Sequence, residues 1–378
     1  MGLSGHKVRY RLSRPASIIL LTNLSSLISS IISKTKTKNM ASIFERVSQA
    51  IGLKPTPTWS PEELAHELPR DFVGYGRVPP TFNLPEGKKI AVNFVINYEE
   101  GGEHSVAHGD SEGEVMLQET GPGKIPLAGE RDTPVETSFE YGSRVGIWRL
   151  LNLFEKYKIK VTMYAVGLAL EHNPPATQAM VAGGHEIASH CWRWFNFEKM
   201  SAAEEEWHIR EGIKSFTATT GKAPVGWYYG RPSPRTRNLI AKIYNELGLE
   251  LLYFSDDYSD DLPHWRPSPV PGKGLLHVPY SYANNDFKFY VAPGFGSTSA
   301  FQEHMLGAVD TLLEEGRDGK PKMVTIALHA RLIGQPGRFQ ALKNIVETLA
   351  ANPDVWFATR EEIAREWVKQ YPDPYVKA

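Results

Sequence analysis

The chain has one cysteine, Cys191, in 378 residues, so no internal disulfide framework is available and a disulfide-stapled secreted scaffold is excluded. A nucleophilic role for that thiol has no support from its neighbours; a small buried side chain is the expectation. Net charge is also missing. A formal charge of -1 gives no whole-protein case for nucleic-acid binding. No Gly-rich phosphate fingerprint follows the first strand, which argues against a dinucleotide fold, and no repeat of 20–50 residues is visible. Residues 1–40 contain no Asp or Glu but seven Lys or Arg. Their apolar run, Ile18–Ile32, is interrupted by Thr22, Asn23, Ser25 and Ser26, too polar for a membrane span or a signal-peptide core. They read as a basic leader, residues 1–42, that takes no part in the fold. The expected location is cytoplasmic, with a mitochondrial destination left open by the leader and Met40 as a second candidate start.

What remains is a 41% apolar chain of a length that suits one large barrel or two ordinary domains. Residues 43–88 suggest a short amphipathic helix, 44–51, and a proline-rich arm lying on the domain surface. From residue 89 to 372, short apolar runs alternate with helical periodicity. The run 89–98, KIAVNFVINY, suits a strand buried on both faces. Further strands are expected at 159–166, 185–189, 225–229, 250–254, 275–279, 323–328 and 355–358. Helices are expected at 142–157, 175–182, 201–219, 234–247, 299–316, 338–351 and 360–370, with Ser201 and Glu204 forming a capping box. About eight strands, mostly separated by helices, imply an α/β fold with a parallel sheet closing into a (β/α) barrel. The segment 101–140 reads as a long loop of the kind that covers a site.

In such a barrel the chemistry collects at the C-terminal strand ends. Reading along that rim places Glu99 and Glu100 after the first strand with Asn97 two residues before, His190 with Trp192 and Trp194 after the third, and Arg231 after the fourth, which Tyr229 ends. Asp256 follows the fifth, Tyr280, Asn285 and Asp286 the sixth, and His329 the seventh. A carboxylate to activate water, a histidine to protonate a leaving nitrogen and an arginine to orient a carboxylate or substrate together suggest hydrolysis at a carbonyl.

The rim order resembles the polysaccharide-deacetylase (NodB-homology) superfamily. Its Thr-Phe-Asp-Asp-Gly motif is similar to Asn97-Tyr98-Glu99-Glu100-Gly101. Its His-x3-His motif resembles His190 through Trp194, its Arg-Pro motif Arg231-Pro232 and its Leu-His motif Leu328-His329. The resemblance covers roughly 60–372 and implies a distorted barrel. Metal-dependent members use one Asp and both His; here Glu100 and Trp194 occupy two of those places. If a metal is held, Glu100 and His190 are its remaining ligands, a poor set for a divalent ion. The variant motifs resemble the metal-independent allantoinase-like subfamily, which implies opening of a cyclic ureide or imide with no cofactor.

On that reading Glu99 or Glu100 activates water, His329 is the general acid or base, and His190 and Arg231 polarise and orient the substrate. Asn97, Trp192, Trp194, Tyr229, Asp256, Tyr280, Asn285 and Asp286 bind it. Two alternatives remain: a zinc-dependent N-deacetylase acting on chitin oligomers or peptidoglycan, and a non-catalytic ureide or carbohydrate binder. The subfamily resemblance further implies a homo-oligomer, a tetramer among the options, with no nucleic-acid or membrane partner.

Overall fold

The computed structural model describes residues 70–119 and 128–376. The basic leader and the helix expected at 44–51 lie outside the described residues.

The sheet is built around β1 (Ile90–Tyr98), in which all nine residues are buried. This is the physical content of its unbroken apolar run: both faces and both edges are covered. Strand β8 (Lys322–His329) pairs in parallel along Ile90 to Asn97. The other edge is shared by β9 (Val355–Phe357) near its start and β2 (Thr162–Ala165) near its end. The sheet then continues through β3 (Glu186–Ser189), β4 (Gly226–Trp227), β5 (Tyr253–Phe254) and β7 (Gly274–His277), all parallel, to β6 (His264–Pro267). Strands β6 and β7 form an antiparallel hairpin. The curled sheet is bridged toward β8 by irregular chain: Asn285 pairs with Ala327, and the Met323 amide donates to the Asp261 carbonyl at 3.2 Å. The result is a distorted (β/α) barrel.

Several elements differ from the sequence expectation. The supposed loop 101–140 contains a helix, α1 (Thr133–Tyr141), capped by Asp132. A π-helical stretch, Gly142–Gly146, joins it to α2 (Ile147–Lys156). Strands expected at 225–229 and 250–254 are only two residues each, and β6 was not anticipated because Pro267 and Pro269 mask it. Helices α3 (Gly167–His172), α4 (Pro174–Ala182), α5 (Ala202–Thr220) and α6 (Thr236–Glu246) alternate with β2 to β5. Both halves of the Ser201–Glu204 capping box are formed on α5. Helices α7 (Thr298–Arg317), α8 (Ala330–Ile333), α9 (Pro336–Ala350) and α10 (Arg360–Gln370) complete the shell.

The barrel floor is polar at one point. Arg360, fully buried, donates to Thr325 Oγ1 (2.8 Å), Ser255 Oγ (3.1 Å) and the carbonyls of Val278 and Pro279. One guanidinium thereby ties β8 to the chain after β5 and β7, where unpaired carbonyls would otherwise be costly. The arm's Phe82 packs edge-on against Trp367, further along α10.

Candidate active site

Strand register brings the chemistry to one level. Asn97 of β1 lies opposite His329 at the end of β8, Tyr98 opposite Ala165, and Ala165 opposite Ser189. The residues just beyond these exits, Glu99 and His190, therefore emerge beside His329. The left-handed backbone of Cys191 (φ 65°), unusual for a residue with a Cβ, turns the chain immediately after His190. Its thiol is buried and burial pushes it well above its ordinary pKa, which fits a packing role.

Glu99 is the centre of the cluster. His190 Nε2 lies 3.2 Å from its Oε1 and His329 Nε2 lies 3.6 Å from the same oxygen. Arg331, in the first turn of α8, donates from Nη1 to Oε2 at 2.7 Å. All four side chains are essentially buried. Glu100 is used differently: its Oε2 accepts from the Glu99 amide (3.0 Å) and its Oε1 from the Arg331 amide (3.1 Å). It sits against Gly142, where an added Cβ would fall 2.3 Å from Oε1; a glycine in the π-helical stretch is what lets α1 and α2 approach. The structure thus brings His190 together with Glu99, and Glu100 serves to align two backbone segments.

Asp286 positions His329. Its Oδ1 is 2.6 Å from His329 Nδ1, and its Oδ2 accepts from the amides of His329 (2.8 Å) and Ile333 (3.2 Å). Tyr280 Oη accepts from Asn97 Nδ2 (3.0 Å) and Asn285 Nδ2 (3.3 Å). Asp256 receives the amides of Tyr229 and Gly230, both at 2.6 Å, and so holds the turn that presents Arg231. Arg231 lies over the Trp194 indole at 3.8 Å and reaches Glu114 at 3.6 Å. Arg331 lies 5.4 Å from the centre of the same indole, which is therefore flanked by two guanidiniums. The 101–119 segment covers this arrangement: Arg193 donates to the Glu103 carbonyl at 3.0 Å and to Asp110, and Arg331 Nε donates to the Leu117 carbonyl at 3.2 Å.

Two expected pocket residues point elsewhere. Tyr229 stacks on Phe197 at 3.8 Å between centres and donates to the Phe195 carbonyl, in the outer cluster with Cys191 and Trp227. Alternation along the chain assigns the inner position to Tyr228 instead, 5.0 Å from the His190 ring and 4.7 Å from Tyr280. Trp192 packs on Trp207 and His208 and donates to Glu171, away from Glu99. Arg331, Glu114 and Tyr228 also belong to the site; the sequence sets Arg331 on the rim just past His329 but assigns a role to none of the three.

The electrostatics separate the titratable groups. Burial would raise the Glu99 carboxyl, but Arg331 and His329 override it and hold it well below the usual range. Burial pushes the His190 imidazole down, so it is neutral. Burial acts the same way on His329, yet Glu99 and Asp286 prevail and raise it to about 9. An ionised carboxylate, a neutral imidazole and an imidazolium thus meet at one point near neutral pH. Four buried polar atoms around them have no hydrogen-bond partner: His190 Nδ1, Arg231 Nη2, Arg331 Nη2 and Glu114 Oε2. Such groups are normally satisfied, and a small polar ligand with both donors and acceptors would do so. A cavity of about 1100 Å³ lies elsewhere, between the arm at 71–80 and the β6–β7 hairpin, and no residue of the Glu99 cluster lines it.

A divalent cation is poorly served here. Glu99 already carries a guanidinium, Glu100 is tied to backbone amides, and the indole of Trp194 has no lone pair to offer. Two fixed positive charges flank the place a third ligand would occupy.

Comparison with known proteins agrees with this architecture. Residues 129–252 match the family model for polysaccharide deacetylase. A Schizosaccharomyces pombe protein assigned to the polysaccharide deacetylases is 44% identical over 313 residues, covering 80% of this chain and 98% of its own. The crystal structure of a Pseudomonas aeruginosa PAO1 protein described as a probable polysaccharide deacetylase is 45% identical, with a TM-score of 0.76 and 81% and 99% of the two chains covered. That of PuuE allantoinase is 44% identical, with a TM-score of 0.77 and the same coverage.

Proposed function

The chain belongs to the polysaccharide deacetylase family, a hydrolase class, and on that premise we propose that it opens the ring of a cyclic ureide or imide, as an allantoinase does, without a metal ion. The observation that carries the reading is the convergence of His190, His329 and Arg331 on Glu99, with an indole rather than an imidazole completing the motif after His190. Likeness to PuuE allantoinase over nearly that protein's whole length supports it further.

In the proposed reaction a water beside Glu99 Oε1 loses its proton to that carboxylate as its oxygen adds to the ring carbonyl. The developing oxyanion is met by the Arg231 guanidinium. The carbon–nitrogen bond then breaks as His329 delivers its Nε2 proton to the departing nitrogen, and the proton on Glu99 returns to solvent or to His329. Arg331 keeps Glu99 ionised and oriented, at the expense of its basicity, and the neutral His190 fixes the second lone-pair direction of Oε1.

One consequence concerns pH. Activity needs protonated His329, so kcat/KM is expected to fall as pH rises through about 9. Asp286 raises that pKa; Asp286→Asn removes the charge, so its alkaline limb should begin at lower pH, with kcat/KM reduced on the order of 10²-fold at neutral pH. A pH–rate profile of both proteins checks this; an unmoved limb would remove His329 from the acid role.

The competing reading is metal-dependent N-deacetylation, favoured by the family names of two relatives. The two are separated by assaying allantoin opening and acetate release from N-acetylglucosamine oligomers on the same preparation. Allantoate without acetate is the expected result; acetate without allantoate contradicts the proposal. Turnover of neither substrate class, with ligand binding retained, would favour a binding protein.

A further inference from the structure

Outside the Glu99 cluster, the described residues hold one group of three side chains with metal-ligating atoms within 4.8 Å of one another: Asp257, His264 and His277. His264 and His277 face each other across the β6–β7 ladder, and Asp257 follows β5. Asp257 Oδ2 is 3.1 Å from His264 Nε2 and 2.8 Å from His277 Nδ1.

The partners of His264 are informative. Its Nδ1 faces the Leu262 carbonyl at 3.4 Å and its Nε2 faces Asp257 Oδ2 at 3.1 Å, both acceptors only. A neutral ring has one N–H for the two, so when Nδ1 donates to the carbonyl, Nε2 turns a lone pair toward the carboxylate. That arrangement needs something positive between the two atoms. A proton on His264 is one solution; a metal ion is the other, and an N–H donated to a backbone carbonyl is the usual second anchor of a metal-bound histidine. His277 Nε2 is buried without a partner, so this ring makes its one polar contact at the cluster.

We propose that Asp257 Oδ2, His264 Nε2 and His277 Nδ1 form a binding site for one divalent transition-metal ion of the zinc class, tying the β6–β7 hairpin to the loop after β5. One carboxylate oxygen and two imidazole nitrogens are a donor set suited to zinc, with a fourth position left for water. Bonds of about 2.0–2.1 Å place tetrahedral ligands about 3.3 Å apart, so the two measured gaps open by only about 0.2–0.5 Å. His264, Ser259 and Asp260 line the 1100 Å³ cavity, which provides an entry route. The remaining Asp257 oxygen, Oδ1, accepts from the Ser259 amide (2.9 Å) and hydroxyl (2.6 Å), which fixes the carboxylate. The adjoining Asp256 holds the Gly230 amide under His190, so the ion stiffens the site wall without entering the reaction.

The test is zinc uptake by full-length protein stripped with a chelator and titrated against a chromogenic competitor, with thermal unfolding recorded alongside. About one zinc per chain is expected, with a rise in Tm that excess chelator reverses. His264→Gln and Asp257→Asn should each weaken binding by at least about 100-fold and abolish the Tm rise, whereas His190→Gln leaves both unchanged. If either variant is unstable, the other and the wild-type Tm shift still decide. No saturable uptake by the wild type overturns the site. Uptake indifferent to Asp257 and His264 but lost in His190→Gln overturns it too, and overturns the metal-free chemistry with it. Inert allantoin with Asp257-dependent zinc uptake overturns only the proposed function.

Discussion

Glu99→Gln is expected to lower kcat for ring opening by about 10³–10⁴-fold, while Glu100→Gln lowers it by no more than about tenfold. The two carboxylates are neighbours in the chain and both buried, but only Glu99 faces the histidines. A Gln at 99 still accepts from Arg331 and keeps the shape, yet it cannot take a proton from water. At 100 a Gln keeps one of the two acceptor oxygens, so one of the Glu99 and Arg331 amides loses its partner; that loss falls on backbone alignment and stability, not on the group that takes the proton from water. Steady-state kinetics on both variants checks this; equal losses would mean that the catalytic assignment is wrong.

The second large effect is on stability. Arg331→Met leaves Glu99 and Glu100 buried without their shared guanidinium, with only the His329 imidazolium beside Glu99, and is expected to cost about 3–5 kcal/mol. Its pH dependence follows from the sign of the Glu99 shift. Glu99 titrates well below its ordinary value in the folded protein, so its ionised form contributes stability above the unfolded pKa, and that contribution is lost as pH falls through the folded one. Without Arg331 the contribution shrinks. The deficit of the variant relative to wild type should therefore be largest at neutral pH and smaller toward pH 4. Urea unfolding at the two pH values measures it; a deficit that grows in acid would contradict the role given to Arg331.

How far the fold and site were legible depends on local signal. Strand β1 was evident because burial on both faces demands an apolar run, and His190 and His329 were evident because each ends such a run. The choice between Glu99 and Glu100 was not. It depends on which carboxylate turns toward β3 and β8, decided by Gly142 and the Arg331 amide far along the chain. The sequence points to Tyr229 where the structure places Tyr228, because a two-residue strand carries too little alternation to fix its faces. Arg331 gave no spacing signal: it reaches Glu99 only because Asp286 starts α8 directly after His329. The Asp257–His264–His277 group has no sequence signature, because the hairpin that assembles it has none.

The central claim, carbon–nitrogen bond hydrolysis by Glu99 and His329 without a metal, is tested most directly by measuring allantoin opening with protein from which all metal has been removed and whose folded fraction is checked at the assay temperature. The account predicts a kcat within about twofold of the untreated enzyme per folded molecule. Loss of turnover in folded, stripped protein, restored by stoichiometric zinc or cobalt, would contradict it.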